Sequence, residues 1–224
     1  MASTSSSSSR RGPVSNRRAP FARNWPTESE LLVVDLEATC WENKSDRPPG
    51  QFNEIIEIGW ALVNLETKET TRTGTVLVKP VRSTISAFCT QLTTITAELL
   101  EEEGVTLEEA FDTLVNDLKS NTYSWGSWGD YDRNMIQQQC RIFNLKSPFS
   151  TTHYNVKNLF KEVYPDLGGY GMAGVWKKVM RGRRLEGTHH RGGDDAKNIS
   201  SLLLQALAEK EKRATASTSS TTGS

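Results

Sequence analysis

Apolar residues in this chain follow two patterns: short unbroken runs in the first half of the folded part, then stripes at helical spacing. LLVVDLEATC at 31–40 reads as a buried strand, IIEIGWALVNL at 55–65 as a second and TGTVLVKP at 73–80 as a third, with the turn-like NLETKETTR before the last. Three strands in succession predict an antiparallel meander. Leu107, Ala110, Phe111, Leu114, Val115 and Leu118 then mark one helical face, opened by a capping box of Thr106 and Glu109. TYSWGSW reads as a fourth strand, followed by helices at YDRNMIQQQCRIF, at NVKNLFKEVY stopped by Pro165, at MAGVWKKVM and at DDAKNISSLLLQALAEK. Strands first and helices interleaved afterwards imply an α/β layered domain.

Composition sets the boundaries of that domain. The 224 residues suit one domain, and the longest apolar runs fall far short of the roughly 20 residues of a membrane-spanning helix. Residues 1–25 are Ser- and Arg-rich with almost no aliphatic side chains, and residues 214–224 are low-complexity, so both are expected to be disordered tails around a folded part at 26–213. Three cysteines without CxxC spacing argue against a disulfide framework or a structural zinc site, and a cytoplasmic location is the default. The acid-free N-terminus leaves an organellar transit peptide as the alternative. The chain is neutral, but five arginines lie within residues 1–24, so the remainder carries −5 and would need a local basic patch or bound cations to hold nucleic acid.

Three clusters could carry chemistry. Asp35 and Glu37 lie two residues apart at the end of the first strand, so both carboxylates point to one face, where a divalent cation would relieve their repulsion. The competing reading is a strand leaving the core with solvated acids. In WGDYD, Asp130 reads as an ordinary helix N-cap, and Asp132 in the first turn is anchored by Met135 and Ile136. In HHRGGDD, a histidine on a Gly-rich loop precedes Asp194, expected as N-cap, and Asp195 in the first turn. Such a histidine can serve as a general base, although surface histidines and capping acids would look the same. Lys177, Lys178, Arg181, Arg183 and Arg184 form either a phosphate-holding patch or a solvated face, and His153 is expected to pack or cap. Trp41, Trp125 and Trp128 are either core or base-stacking surfaces, and Cys40 reads as a small buried residue.

The ordered set Asp35, Glu37, Asp132, His190 and Asp195, with the histidine five residues before the last acid, resembles the DEDDh group of 3′-to-5′ exonucleases. Through VVDLEATCWE, FNEIIEIG, VKPVRSTISAFCTQLTTIT, SWGDYDRNM and HRGGDDAKNI it is most similar to the Eri-like exoribonucleases over roughly residues 31–205. The choices of Asp132 over Asp130 and of His190 over His189 follow motif spacing. The resemblance implies a ribonuclease H-like three-layer domain with a mixed sheet flanked by helices. It implies two Mg²⁺ ions, for which Mn²⁺ can substitute, held by Asp35, Glu37, Asp132 and Asp195, with His190 and Glu37 catalytic. Substrate contacts are then expected from Glu37, Ala38, Leu92, Trp128 and His190. The implied activity is Mg²⁺-dependent release of nucleoside 5′-monophosphates from the 3′ end of single-stranded RNA or short overhangs. The alternatives are a 3′-to-5′ DNA exonuclease, or a non-catalytic nucleic-acid-binding protein of the same fold. No membrane partner is expected, and protein partners are not specified by the sequence.

Overall fold

The computed structural model describes residues 25–219. The first three strands, β1 (Glu30–Ala38), β2 (Ile55–Asn64) and β3 (Glu69–Leu77), form the expected antiparallel meander. Three helices follow: α1 (Ala87–Thr93), α2 (Ala97–Glu103) and α3 (Leu107–Asn116), the last closed by the Thr106–Glu109 capping box. Strand β4 (Ser124–Ser127) then pairs parallel to β1, helix α4 (Tyr131–Phe143) crosses back, and β5 (His153–Asn155) pairs parallel to β4. Helices α5 (Val156–Val163), α6 (Met172–Val179) and α7 (Gly192–Ser219) complete the chain. The sheet has five strands in the order β3-β2-β1-β4-β5 with helices packed on its faces, which is a ribonuclease H-like arrangement.

β1 is central, and its side chains divide by the strand period of two. Leu31 and Val33 join one buried cluster with α5, α6 and α7, while Leu32, Val34 and Leu36 join another with α3 and α4. Asp35 and Glu37, continuing the odd positions, therefore point to the α7 side. A strand buried on both faces reads as a continuous apolar run, which is why LLVV is so plain in the sequence.

Several expected boundaries shift. β3 begins at Glu69, not Thr73, and the turn shortens to a few residues in which the Asn64 side chain accepts from Glu66 N at 2.9 Å and Thr67 N at 2.8 Å. The extra residues are exposed on an edge strand, so no hydrophobic signal marks them. Helices α1 and α2 and strand β5 are absent from the sequence pattern; each has seven residues or fewer, too short for periodicity to register.

Helix α7 starts at Gly192, so Asp194 is inside the first turn and is not the N-cap; Asp195 N donates to Arg191 O at 2.8 Å. The cause is the close approach of the helix start to β2. A Cβ on Gly59 would lie 1.8 Å from Gly192 C, and the backbone contact needs glycine there.

At its other end α7 runs on through Ser219, past Arg213. Trp25, placed with the N-terminal tail by composition, is buried: its Nε1 donates to Glu162 at 2.9 Å and Lys210 lies over its ring. The tail expectations for residues 1–24 and 220–224 lie outside the described residues. Among the described residues, no helix is long and apolar enough to cross a membrane.

Candidate active site

The strand period and the start of α7 bring three acids together. Asp35, Glu37 and Asp195 each offer a carboxylate oxygen within 4.8 Å of the others. Asp132 arrives from α4 on the far side of β1 and is locked there, because its Oδ1 accepts from Leu36 N at 3.0 Å. Glu37, Asp132 and Asp195 are all buried. Asp130 occupies the N-cap position of α4 without a side-chain capping bond and pairs with Arg133 at 3.4 Å, away from the cluster. Of the two aspartates in WGDYD, only Asp132 reaches β1.

Crowded acids out of water resist ionisation. Burial first, then the charges of Asp132, Glu37, Asp195 and Glu57, push the Asp35 carboxyl well above the usual range. Burial, then Asp195 and Glu57, raise Glu37 to about 8. Asp132 is raised to about 6 by burial, against the lowering effect of the Leu36 hydrogen bond. An all-oxygen donor set of this crowding fits a hard divalent cation, whose charge would replace the protons that the acids otherwise retain.

The histidine loop is pinned to the same acids. Asp195 Oδ2 accepts from His190 N at 2.9 Å, and His189 Nδ1 lies 2.8 Å from the same oxygen. The two imidazoles stack with centroids 3.9 Å apart, His190 sits at φ +66°, a left-handed backbone, and a ring nitrogen from each histidine and an Asp195 oxygen lie within 4.8 Å of one another. Motif spacing selects His190, yet the ring resting on Asp195 belongs to His189. Burial and the neighbouring His189 lower the His190 pKa.

Glu57 is not singled out by the sequence motifs, although it stands opposite Glu37 in the β1–β2 register and is 1% exposed. It accepts from Gly192 N at 2.8 Å, from Thr75 Oγ1 at 2.7 Å and from both Nε and Nη2 of Arg191. An acid in the middle of an apolar strand run is the available signal, since such a group needs several donors to be buried.

The remaining expected residues are dispersed around this centre. Ala38 ends β1 and is buried; its carbonyl faces Cys89 Sγ at 3.7 Å. Leu92 is half-buried on α1. Trp128 is half-buried against Phe160, and its Nε1 is buried without a hydrogen-bond partner among the described residues. Trp125 is core, stacked on Phe149 with Nε1 donating to Ser150 O at 3.1 Å, whereas Trp41 is partly exposed. His153 packs, as expected: it is buried in β5, with Nε2 2.9 Å from Ser127 Oγ. Lys177, Lys178, Arg181, Arg183 and Arg184 are all exposed near the end of α6.

The RNase T family model, described as exonuclease, matches residues 32–203. KapD of Bacillus subtilis, described as a probable 3′-5′ exonuclease, is 29% identical over 192 residues, covering 84% of this chain and 88% of its own length. Human 3′-5′ exoribonuclease 1 is 27% identical over 188 residues, covering 80% of this chain and 52% of the relative. The chain thus spans about half the length of that human protein. Among solved structures, the nuclease domain of 3′hExo, a DEDDh family member bound to rAMP, aligns with a TM-score of 0.70 at 27% identity. That alignment covers 81% of this chain and 92% of the domain.

Proposed function

This chain belongs to the RNase T exonuclease family, in the Eri-like branch of the DEDDh 3′-to-5′ exonucleases, and from that premise we propose that it hydrolyses single-stranded RNA from the 3′ end with Mg²⁺. The observation that carries the proposal is the meeting of Asp35, Glu37 and Asp195 oxygens within 4.8 Å beside the strand-locked Asp132. Those four acids would hold two divalent ions. Bound there, the ions supply an activated water and stabilise charge on the phosphate and the leaving 3′-oxygen.

The chain's own groups do the rest. His190 accepts the proton of the attacking water, and its glycine-flanked loop lets the ring turn from its stack on His189 toward the acids. Backbone groups of Glu37 and Ala38, at the open end of β1, contact the terminal ribose, and Leu92 and Trp128 flank its base. Trp128 keeps part of its surface exposed beside Phe160, which supports a contact to substrate. RNA is favoured over DNA because similar proteins are named exoribonucleases and the 3′hExo domain was solved with a ribonucleotide bound.

The test is degradation of matched end-labelled RNA and DNA with Mg²⁺, with EDTA and Asp35→Ala as controls. Stepwise shortening from the 3′ end of RNA, abolished by both controls, is expected. Faster loss of DNA would move the chain to the DNA-directed alternative, and metal-dependent cleavage of neither by folded protein would refute an enzymatic role.

A further inference from the structure

Trp41 follows the catalytic strand in the sequence but joins none of the three buried clusters among the described residues. Trp41 instead lines a cleft of about 420 Å³ with Glu42, Asn43, Lys44, Arg47 and Asn53. The cleft is pre-formed. Asn53 Nδ2 donates to Thr39 O at 2.5 Å, Ser86 Oγ donates to Cys40 O at 2.6 Å, and Asn43 N and Nδ2 both donate to Asp46 Oδ2 at 3.0 Å. The bonds from Asn43 turn the Asp46 carboxylate onto the loop's own backbone.

The cleft lining therefore holds two cations, Lys44 and Arg47, and one free acid, Glu42. Neither cation has an ion-pair partner among the described residues. A partly exposed indole beside unpaired cations is the combination that binds single-stranded nucleic acid, by stacking on any base and by attraction of the phosphates. Position supports this: Cys40, in the cleft lining, is three residues beyond Glu37, so at about 3.8 Å per residue it lies within about 11 Å of it.

We propose that this cleft is a separate nucleotide subsite, holding the RNA strand upstream of the terminal residue with a base on Trp41 and phosphates against Lys44 and Arg47. The proposal rests on the exoribonuclease reading above and extends it to substrate length. The subsite recognises single-stranded RNA through stacking and charge, without base-specific contacts.

The experiment compares two substrates: a ~12-nucleotide RNA and a nitrophenyl ester of a nucleoside 5′-monophosphate, which is too short to reach the cleft. Trp41→Ala is expected to raise KM for the RNA about tenfold, the effect of removing one stacked base, while the ester is turned over as by the wild type. Lys44→Glu with Arg47→Glu should flatten the salt dependence of RNA binding by about 0.7 in log–log slope for each phosphate that the cleft no longer holds. Unchanged RNA KM and unchanged salt slope in both variants would overturn the proposal, as would an equal fall in turnover of the ester, which would place the effect at the catalytic acids. If the wild type hydrolyses neither substrate, the exoribonuclease reading fails and RNA binding alone decides the subsite. Tight binding of RNA by Asp35→Ala protein, abolished on adding Trp41→Ala, would support the subsite independently of turnover.

Discussion

The guanidinium fork of Arg191 lies across the Glu57 carboxylate, with Nε 3.1 Å from Oε2 and Nη2 3.0 Å from Oε1, so the residue that follows His190 is fastened to the strand paired with β1. The same carboxylate takes the Gly192 amide at the start of α7. One buried acid thus sets both the histidine loop and the helix that carries Asp195. Arg191→Met removes the fork and leaves Glu57 with two neutral donors. The expected result is a stability loss of about 2 kcal/mol and at least a tenfold fall in kcat on RNA with little change in KM. Assay well below the new Tm separates the two effects: full kcat there would mean that the pair serves stability alone.

The backbone contact next to that pair is equally demanding. Gly59→Ala would drive a methyl into Gly192 C, and both partners are backbone that cannot swing aside. A destabilisation of about 3 kcal/mol or more is expected, with weakened metal binding as Asp195 withdraws from Asp35. Urea denaturation and metal titration of the variant measure both. A wild-type urea midpoint would show that the α7 start is free to shift.

The acids conflict with folding when no cation is bound. Glu37, raised to about 8 from an ordinary 4.5, holds its proton more tightly in the folded chain than in the unfolded one. Its contribution is therefore favourable below about 4.5 and is lost as pH rises through about 8. Asp35 is displaced in the same direction. Metal-free protein should accordingly gain stability when Asp35 is changed to Asn, by about 1–2 kcal/mol at neutral pH, while losing activity. Mg²⁺ or Mn²⁺ should raise the Tm of the wild type and release protons on binding, and calorimetry in two buffers of different ionisation enthalpy measures that release.

The two stacked histidines separate by mutation. His190→Ala should lower kcat by about 10²-fold or more, as expected for loss of a general base, whereas His189→Ala should cost much less because its ring contacts only Asp195 among the acids. Reversed magnitudes would assign the proton-accepting role to His189.

His153 predicts an acid limit to stability. Burial, with Arg133 adding to it, lowers its pKa from 6.5 to about 4, so the folded chain keeps it neutral while the unfolded chain takes a proton. Between those values the unfolded state binds more protons, and stability falls as pH drops from about 6.5 toward 4. The loss reaches about 3 kcal/mol at the lower end. A neutral replacement such as His153→Gln should flatten that pH dependence of the urea midpoint; an unchanged slope would locate it elsewhere.

Much of this protein is legible from local rules. The meander, the α3 capping box, the span of α4 and the shared face of Asp35 and Glu37 all follow from periods of two and 3.6 residues and from turn chemistry, which act over a few positions. The order of acids and the Gly-rich histidine segment point to the family for the same reason. What lies beyond those rules depends on contacts between distant segments. Edge strand β3 is written in polar residues because solvent covers it, and its length is set by pairing with β2. Nothing near Asp132 in the sequence shows that its carboxylate accepts from Leu36 N, 96 positions away, and this bond separates it from Asp130. The burial of Glu57 depends on donors from Thr75, Arg191 and Gly192 that only the closed fold assembles. Sequence determined which groups were present and which faces they shared; the tertiary structure decided which of them meet, because a buried charge is tolerated only where remote donors or a cation arrive to satisfy it.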